Sequence, residues 1–266
     1  MPFVSKLYVG CTIRLKSAWS EARPDLPIPS VALEAFQAEG IHILSTRFAP
    51  DNLQLLAEIQ ADVSPAFLIQ RLKGRLSHSL KRAHHDFPGF SRHFFLRSLG
   101  QNTKSIVSNY VHSQIESSDL VDPLYRSRMK ELRFKEENEI LPSKTRHQGV
   151  YDLFAHVVLI TGGRTRMFSP EAKKVFEALC EGVQSLKADP MDISMMPDHV
   201  HLLLRWPQSS TARELLENIQ KASGQILRRS AFWTTGGYVG SVGPYPLKIA
   251  MDRNSRLGIK TVPHSG

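Results

Sequence analysis

The chain repeats part of its own sequence, and this repetition limits the folds open to it more than any other feature. Residues 50–56 align without gaps on residues 197–203, and both blocks begin with Pro-Asp. Residues 97–100 align on residues 240–243, and both blocks end in Ser, an aliphatic residue and Gly. Because two copies are too few for a solenoid, the repetition predicts two related domains.

Hydrophobic periodicity predicts the same order of strands and helices in both copies. Runs of β-branched and aromatic residues, which are typical of strands, cover 7–15, 41–48, 93–100, 153–160 and 196–204. Runs with helical spacing cover 31–38, a longer segment from Ser64-Pro65 onwards, 104–116, 169–179 and 210–229. Both copies therefore contain predicted strands and helices in the same order.

Residues 121–150 differ from both copies. Their charged first part predicts an exposed helix, and their second part lacks apolar periodicity, as linkers do. We therefore expect a first domain over residues 1–120, a charged linker, and a second domain over residues 151–266.

Composition narrows the classes of partner and compartment. A net charge of +9 and a sequence pI of about 9.7 favour a polyanionic partner, either nucleic acid or an anionic membrane. Cys11 and Cys180 are the only cysteines, so the sequence supports neither a disulfide framework nor a zinc–cysteine site. Because the chain is 41% hydrophobic but has no membrane-length apolar run and no signal-peptide pattern, we expect a soluble, cytoplasmic protein.

Two histidines of the second copy form a candidate metal pair. His199 and His201 share one face of a predicted strand, because side chains alternate along a strand. The apolar run after them predicts a buried, rigid element, which suits a coordination site. The same pattern also fits ordinary surface or packing histidines. At the aligned positions the first copy has Asn52 and Gln54, which are poor metal ligands.

A tyrosine and a glutamine distinguish the first copy. Tyr110 and Gln114 are four residues apart in a predicted helix, so both lie on one helical face. Counted from the aligned glycines that precede the helices, they correspond to Arg253 and Leu257. The first copy thus has a tyrosine helix without the histidines, and the second has the histidines without the tyrosine.

Together these motifs resemble those of the TnpA-like single-tyrosine HUH transposases of small insertion sequences, and of their relatives associated with repetitive extragenic palindromes. The resemblance covers both copies, and the histidine block is its most specific part. It implies two fused ferredoxin-like domains with antiparallel sheets, an α/β (α+β) architecture. It also implies that His199, His201 and Gln114 bind a divalent metal, Mg²⁺ or Mn²⁺, and that Tyr110 attacks a DNA phosphate.

In that family, the tyrosine helix of one subunit completes the histidine site of the other. By this resemblance the fused chain is a pseudo-dimer with one complete composite site, in which Tyr110 and Gln114 meet His199 and His201. The second composite site would be empty of ligands, because its strand carries Asn52 in place of the first histidine.

The leading hypothesis is metal-dependent cleavage and rejoining of single-stranded or hairpin DNA through a covalent 5′-phosphotyrosine. The chain would act as a monomeric pseudo-dimer or as a dimer of these, and would associate with the nucleoid. The alternative is a non-catalytic or domesticated protein that binds DNA hairpins. A third hypothesis is an α/β protein whose metal site has an unrelated use.

Several other side chains receive an interpretation from the sequence. His156 could point towards the same sheet face as the histidine pair, but it is interpreted as a satisfied strand histidine. Trp233 and Tyr238 are interpreted as core aromatics more readily than base-stacking ones. Basic residues on two helices are candidates for contacts with DNA phosphates. They are Lys73, Arg75, Lys81, Arg82, Arg228 and Arg229.

Overall fold

The computed structural model describes residues 2–117, 123–135, 144–146, 149–167, 169–229 and 231–256. The strands are β1 (Phe3–Lys6), β2 (Tyr8–Leu15), β3 (Ile41–Ala49), β4 (Asn52–Ile59), β5 (Phe90–Leu99), β6 (Arg133–Lys135), β7 (Lys144–Arg146), β8 (Gly149–Asp152), β9 (Phe154–Ile160), β10 (Asp189–Met195), β11 (His199–Arg205) and β12 (Gly237–Val242). The helices are α1 (Ser30–Ala38), α2 (Pro65–Ala83), α3 (Lys104–Ser117), α4 (Pro123–Glu131), α5 (Ser169–Ser185), α6 (Ala212–Ile226) and α7 (Leu247–Arg256).

Each half of the chain has a ferredoxin-like core. In the first half, β2, α1, β3, β4, α2 and β5 follow in sequence, and the strands lie in the order β3-β4-β2-β5. In the second half, β9, α5, β10, β11, α6 and β12 repeat this pattern with the order β10-β11-β9-β12. All neighbours within these two sets are antiparallel. This β-α-β-β-α-β arrangement confirms the predicted fold class.

Helix caps define where the long helices of the two halves begin. The Ser64 hydroxyl accepts a hydrogen bond from the Phe67 amide at the start of α2, and Pro65 occupies the first turn. At the start of α6, Thr211 and Glu214 form a reciprocal capping box. Both helices bury an apolar face against the sheet, so the opposite face of each sheet is left for other contacts.

Short strands cross between the halves, which the sequence patterns did not predict. Strand β1 of the first half pairs in parallel with β12, and β8 pairs in parallel with β5. Each sheet therefore combines an antiparallel core with one parallel strand from the other half. Such pairings join segments that are distant in sequence, so local periodicity carries no signal for them.

The segment predicted as an exposed helix and a linker contributes to both sheets. It contains α4 and β6, and β6 pairs with β10 of the second sheet. Strand β7 pairs with β8 on the first sheet. Met129 of α4 is fully buried although most of its neighbours in sequence are charged or polar. A few apolar side chains thus anchor a segment whose overall charge indicated exposure.

Reciprocal hydrogen bonds relate the two halves by a pseudo-twofold axis. The Ser98 hydroxyl donates to the Val242 carbonyl and the Ser241 hydroxyl donates to the Leu99 carbonyl, each at 2.5 Å. The amide that begins each central strand donates in turn to one of these hydroxyls, Phe154 N to Ser98 Oγ at 2.8 Å and Tyr8 N to Ser241 Oγ at 2.7 Å. The same contact is therefore made twice, once in each direction.

Two glycines permit this close approach. A Cβ atom on Gly100 would lie 2.3 Å from the Ser241 carbonyl oxygen, and one on Gly243 would lie 2.2 Å from that of Ser98. We call this contact between the two halves the junction. Beyond it, the first amide of α3, Lys104 N, donates to the Gly243 carbonyl, and the first amide of α7, Leu247 N, donates to the Gly100 carbonyl, both at 2.7 Å. The junction thus sets where α3 and α7 start.

Helix α3 packs on the sheet of the other half. Its Val107 and Val111 are buried in a small core with Phe154, Leu203 and Val242 of the second half. Helix α7 makes the reverse crossing and contacts β3 of the first sheet. Each sheet face that is not covered by its own helices is thus partly covered by a helix from the other half.

Candidate active site

The open face of the second sheet carries His199 and His201 on β11. Their ring centroids are 5.0 Å apart. Asp198 fixes the first ring, because its Oδ1 lies 2.7 Å from His199 Nδ1. The second ring is held by a third histidine, since His201 Nδ1 lies 3.0 Å from Nε2 of His156 on β9. Both rings are therefore held through Nδ1, which leaves Nε2 as the atom available for other contacts.

His201 presents an orphaned polar atom. Its Nε2 is buried and has no hydrogen-bond partner among the described residues. Buried polar atoms without partners are rare in proteins and call for an explanation such as a bound ion. A metal ion that accepts a lone pair from this nitrogen would satisfy it, so the residues present fit a divalent ion held by imidazole.

The remaining donors indicate an open site. Within the described ranges, no group of three or more His, Cys, Asp or Glu side chains has a metal-binding arrangement. The carboxylate on His199 Nδ1 matches the outer-shell carboxylates that orient histidine ligands in metal sites. Two imidazoles of this kind would leave coordination positions free for a substrate oxygen.

Burial keeps the two inner imidazoles neutral. Burial lowers the pKa of His156 to about 4. Burial, together with the neighbouring charges of His156 and His199, lowers the pKa of His201 to about 3. At neutral pH both rings are uncharged, which is the state that binds metal.

Tyr110 reaches this face from the first half of the chain. Its ring centroid lies 5.4 Å from that of His201 and 6.2 Å from that of His156, with both rings edge-on. The side chain is 48% exposed, so the phenol is open to solvent while its ring borders the histidines. The structure thus brings together a tyrosine and histidines that are far apart in sequence.

The packing of α3 determines which residues face the site. Val107 and Val111 are buried on the second sheet, and Ser108 donates a hydrogen bond to Asp192 of β10. Gln114 lies one helical turn beyond Tyr110 and is half-buried. Apolar contacts and one polar anchor therefore hold the tyrosine helix on β10 and β11.

Asp192 is an acidic group beneath this helix. Burial raises the pKa of its carboxyl, and the hydrogen bond from Ser108 and the cations Lys135 and Lys104 oppose the rise. The carboxyl lies on the strand beside β11, but its hydrogen bond ties it to α3 and not to the histidines. We assign it to the positioning of the helix.

A family of known sequences also matches the chain. The model of the IS200-like transposases matches residues 16–114 and again residues 149–251. The chain belongs to the IS200-like transposase family. The two matches coincide with the two ferredoxin-like halves, so this transposase contains the family domain twice. Membership assigns it to transposase chemistry on DNA, and no curated protein sequence matches it.

Solved structures with some likeness to this transposase are distant. A candidate transposase from Deinococcus radiodurans R1 is 14% identical, with a TM-score of 0.32, and covers 47% of this chain and 96% of its own. A REP-associated tyrosine transposase bound to a REP hairpin is 10% identical, with a TM-score of 0.30, over 47% of this chain and 70% of its own. In the described part of the transposase, no helix is long and apolar enough to span a membrane.

Two further residues lie beside the candidate site, His156 and Tyr238. His156, interpreted as an ordinary strand histidine, is hydrogen-bonded to His201 and stacks with it at a centroid distance of 5.3 Å. Tyr238, interpreted as core, is half-buried and meets His156 edge-on at 5.7 Å. The pairing of β9 with β11 and β12 creates both contacts. The signal in the sequence was that the first copy has Gly10 where the second has His156.

The basic residues predicted to contact DNA differ in how far they are engaged within the protein. Lys73 Nζ donates to the carbonyls of Ser91 and Arg92 at 2.9 and 3.0 Å, and Arg75 is paired with Glu39. These contacts give Lys73 and Arg75 a structural role. Arg229 pairs with Glu171. Lys81, Arg82 and Arg228 are available at helix ends.

The second composite site is only partly described. Asn52 and Gln54 occupy the positions of His199 and His201 on β4. Their described partners on the neighbouring strands include no histidine; they are Arg14, Ala49, Thr12 and Arg47. The side chain of Arg253 and the whole of Leu257, which correspond to Tyr110 and Gln114, lie outside the described residues.

Proposed function

We propose that this transposase cleaves and rejoins single-stranded or hairpin DNA at one composite site, through a covalent 5′-phosphotyrosine on Tyr110. The observation that carries the proposal is the position of Tyr110, whose ring lies 5.4 Å from that of His201 although it belongs to the other half. The face that would form a second site has Asn52 and Gln54 in place of the histidines. One complete site therefore serves the whole chain.

Tyr110 is the nucleophile in this proposal. Its phenolic oxygen attacks the scissile phosphorus, the phenolic proton passes to solvent, and the P–O3′ bond breaks. The 3′ oxygen takes up a proton and leaves as a hydroxyl, while the 5′ phosphate stays on the tyrosine. Attack by a 3′ hydroxyl on the phosphotyrosine reverses these changes and rejoins the strand.

His199, His201 and Gln114 are the proposed metal ligands. They would hold a divalent ion, Mg²⁺ or Mn²⁺, whose positive charge would polarise the phosphate for attack. The proposal is supported by the unpaired Nε2 of His201 and by the carboxylate that orients His199. His156 holds His201 from behind, because its Nε2 is 3.0 Å from His201 Nδ1.

DNA phosphates would also meet basic residues outside the site. Lys81, Arg82 and Arg228 remain candidates for such contacts because they lie at helix ends with exposed or half-exposed side chains. In this proposal the single chain acts as a pseudo-dimer in the cytoplasm, associated with the nucleoid.

The decisive experiment tests for a covalent adduct. Wild-type protein is incubated with end-labelled single-stranded hairpin DNA and Mn²⁺, and the products are separated under denaturing conditions. We expect a protein–DNA adduct that is lost in Tyr110→Phe. The matched control is Tyr238→Phe, which removes the neighbouring phenol of the same face and should leave the adduct. An adduct that persists in Tyr110→Phe would refute the proposed nucleophile.

The alternative function is binding of DNA hairpins without cleavage, as in a domesticated transposase. The observation that favours it is the loss of histidines from the second composite site, because the family domain occurs twice but the histidine pair only once. Tight hairpin binding without an adduct in either Mg²⁺ or Mn²⁺ would support this alternative.

A further inference from the structure

The open face of the first sheet carries two arginines near the positions where the other half has the proposed metal ligands His199 and His201. We call it the vacated face, and it carries Thr12, Arg14, Arg47, Asn52, Gln54 and Phe95. Strand register matches it to the face of the second sheet that carries His199 and His201, the proposed active face. Arg14 is the strand partner of Asn52, and the corresponding pair in the second half is Ile160 and His199. Arg47 is the strand partner of Gln54, and the corresponding pair is Ser194 and His201.

Both arginines of the vacated face are uncompensated. Among the described residues, neither Arg14 nor Arg47 forms an ion pair or a side-chain hydrogen bond, and the buried Nε of Arg47 has no partner. Asn52 Oδ1 is likewise buried without a partner, while its Nδ2 donates to Asp51 Oδ1 at 2.6 Å. Two cations and an acceptor are thus directed at the same face without satisfying one another.

A cavity of about 180 Å³ lies on the same face, beside Gln54, which is the strand partner of Arg47. Its polar wall includes Thr12 and Gln54, and its apolar wall includes Leu56 and Phe95. The half-buried Phe95 aligns with Tyr238, and Gly10 in the floor aligns with His156. The first half thus has a glycine, and a cavity beside Phe95 and Gln54, where the second half has a histidine ring.

Arg97, which lines the cavity, already forms contacts within the protein. Arg97 stands over the Phe95 ring at 4.8 Å, is paired with Asp152 at 3.1 Å, and donates to the Tyr245 hydroxyl at 2.7 Å. It closes one side of the cavity. Arg14 and Arg47 are therefore the two cations of this face that remain available to a ligand.

We propose that the vacated face binds a nucleotide of single-stranded DNA without cleaving it. Arg14 and Arg47 bind its phosphate, and the unpaired base enters the cavity against Phe95, where the Gln54 amide and the Thr12 hydroxyl can hydrogen-bond it. Fixed guanidinium charges here take the place that the metal ion has in the other half. The inference rests on single-stranded DNA as the substrate of the proposed function, but not on cleavage.

Equilibrium binding to a short oligothymidylate tests the site. Fluorescence anisotropy is measured in the Tyr110→Phe background with EDTA, so that neither cleavage nor metal contributes. We expect the Arg14→Ala/Arg47→Ala variant to weaken binding at least about tenfold. The slope of log affinity against log salt should become shallower by about 0.7 for each lost phosphate contact.

Matched variants separate charge from fold and from the base. Arg14→Lys/Arg47→Lys should keep most of the affinity, and Lys173→Ala/Lys174→Ala, which removes two exposed charges from α5, should change neither affinity nor slope. Phe95→Ala should weaken binding about tenfold with an unchanged slope. With an abasic oligonucleotide, Phe95→Ala should have no effect.

The outcomes distinguish this inference from the proposed function. If the double alanine variant binds like the α5 control, or if the protein has no affinity for the oligonucleotide, the vacated face is not a binding site. Loss of binding in this variant supports the inference even if wild-type protein forms no adduct. An adduct lost in Tyr110→Phe, together with normal binding by the double variant, would leave the proposed function intact and refute the inference.

Discussion

The two open sheet faces share one scaffold but differ in the groups they present. In the second half, Asp198 holds His199 at 2.7 Å, and in the first half Asp51 holds Asn52 at 2.6 Å. The orienting hydrogen bond is thus present in both halves, although a potential metal ligand is present in one. The strand, its turn and its aspartate are therefore common to both halves, whereas the histidine pair is found in one.

The halves also differ in what stands beside that strand. The active face adds His156 behind His201, and its tyrosine helix is anchored to Asp192 through Ser108. The vacated face has Gly10 and Ser45 at the corresponding positions and instead carries Arg47. A face with buried, neutral imidazoles and a face with two arginines thus arise from the same topology.

The sharpest test of the comparison exchanges one aligned pair for alanine. His201→Ala removes a proposed metal ligand, so Mn²⁺ affinity and adduct formation should fall by more than the about 100-fold that loss of an outer-shell partner can cost. Gln54→Ala, at the aligned position, should leave Mn²⁺ affinity unchanged. Mn²⁺ binding is measured by electron paramagnetic resonance. Equal losses of Mn²⁺ affinity in the two variants would contradict the proposal that the metal binds only at the histidine strand.

A second test concerns the residue behind the metal pair. His156→Ala should lower Mn²⁺ affinity about 10- to 100-fold, because nothing then orients the His201 ring through Nδ1. His156→Gln, whose amide oxygen can accept the same hydrogen bond, should restore part of the affinity. Isothermal titration calorimetry with Mn²⁺ measures both, and unchanged affinity in the alanine variant would rule out a positioning role.

A third test asks whether the pseudo-twofold junction bears equally on both halves. Gly100→Ala and Gly243→Ala each force a Cβ against a carbonyl oxygen, so each should lower the free energy of unfolding by about 1–3 kcal/mol. Gly74→Ala, in α2 with open space around the new Cβ, should raise it by about 0.5–1 kcal/mol. Urea denaturation measures all three. A large difference in the free energy of unfolding between the two junction variants would contradict the pseudo-twofold symmetry of this contact.

The smallest expected effect concerns pH. Burial raises the folded-state pKa of Asp192 above its unfolded value, so the carboxyl favours the folded state most at low pH. Its contribution is lost as pH rises through the folded-state pKa. Asp192→Asn should therefore gain stability relative to wild type at neutral pH and lose that advantage in mildly acidic buffer, as read from urea midpoints. A constant difference at every pH would show that this carboxyl does not titrate across the range.

The sequence by itself determined the repeated order of elements and the local geometry of each motif. The alternation around His199 and His201 predicted a strand, the spacing of Tyr110 and Gln114 predicted one helical face, and the repetition predicted two related domains. These features depend on residues within a few positions of one another. Local propensity and periodicity are therefore sufficient to predict them.

Tertiary structure alone decided which residues share a face across strands. The exchange of β1 and β8, the hydrogen bond from His156 to His201, and the place of Arg47 beside Gln54 all depend on strand pairing. The charged segment before β8 likewise joins the sheets only because distant strands offer it edges. Pairing and register are set by non-local packing, which no window of sequence contains.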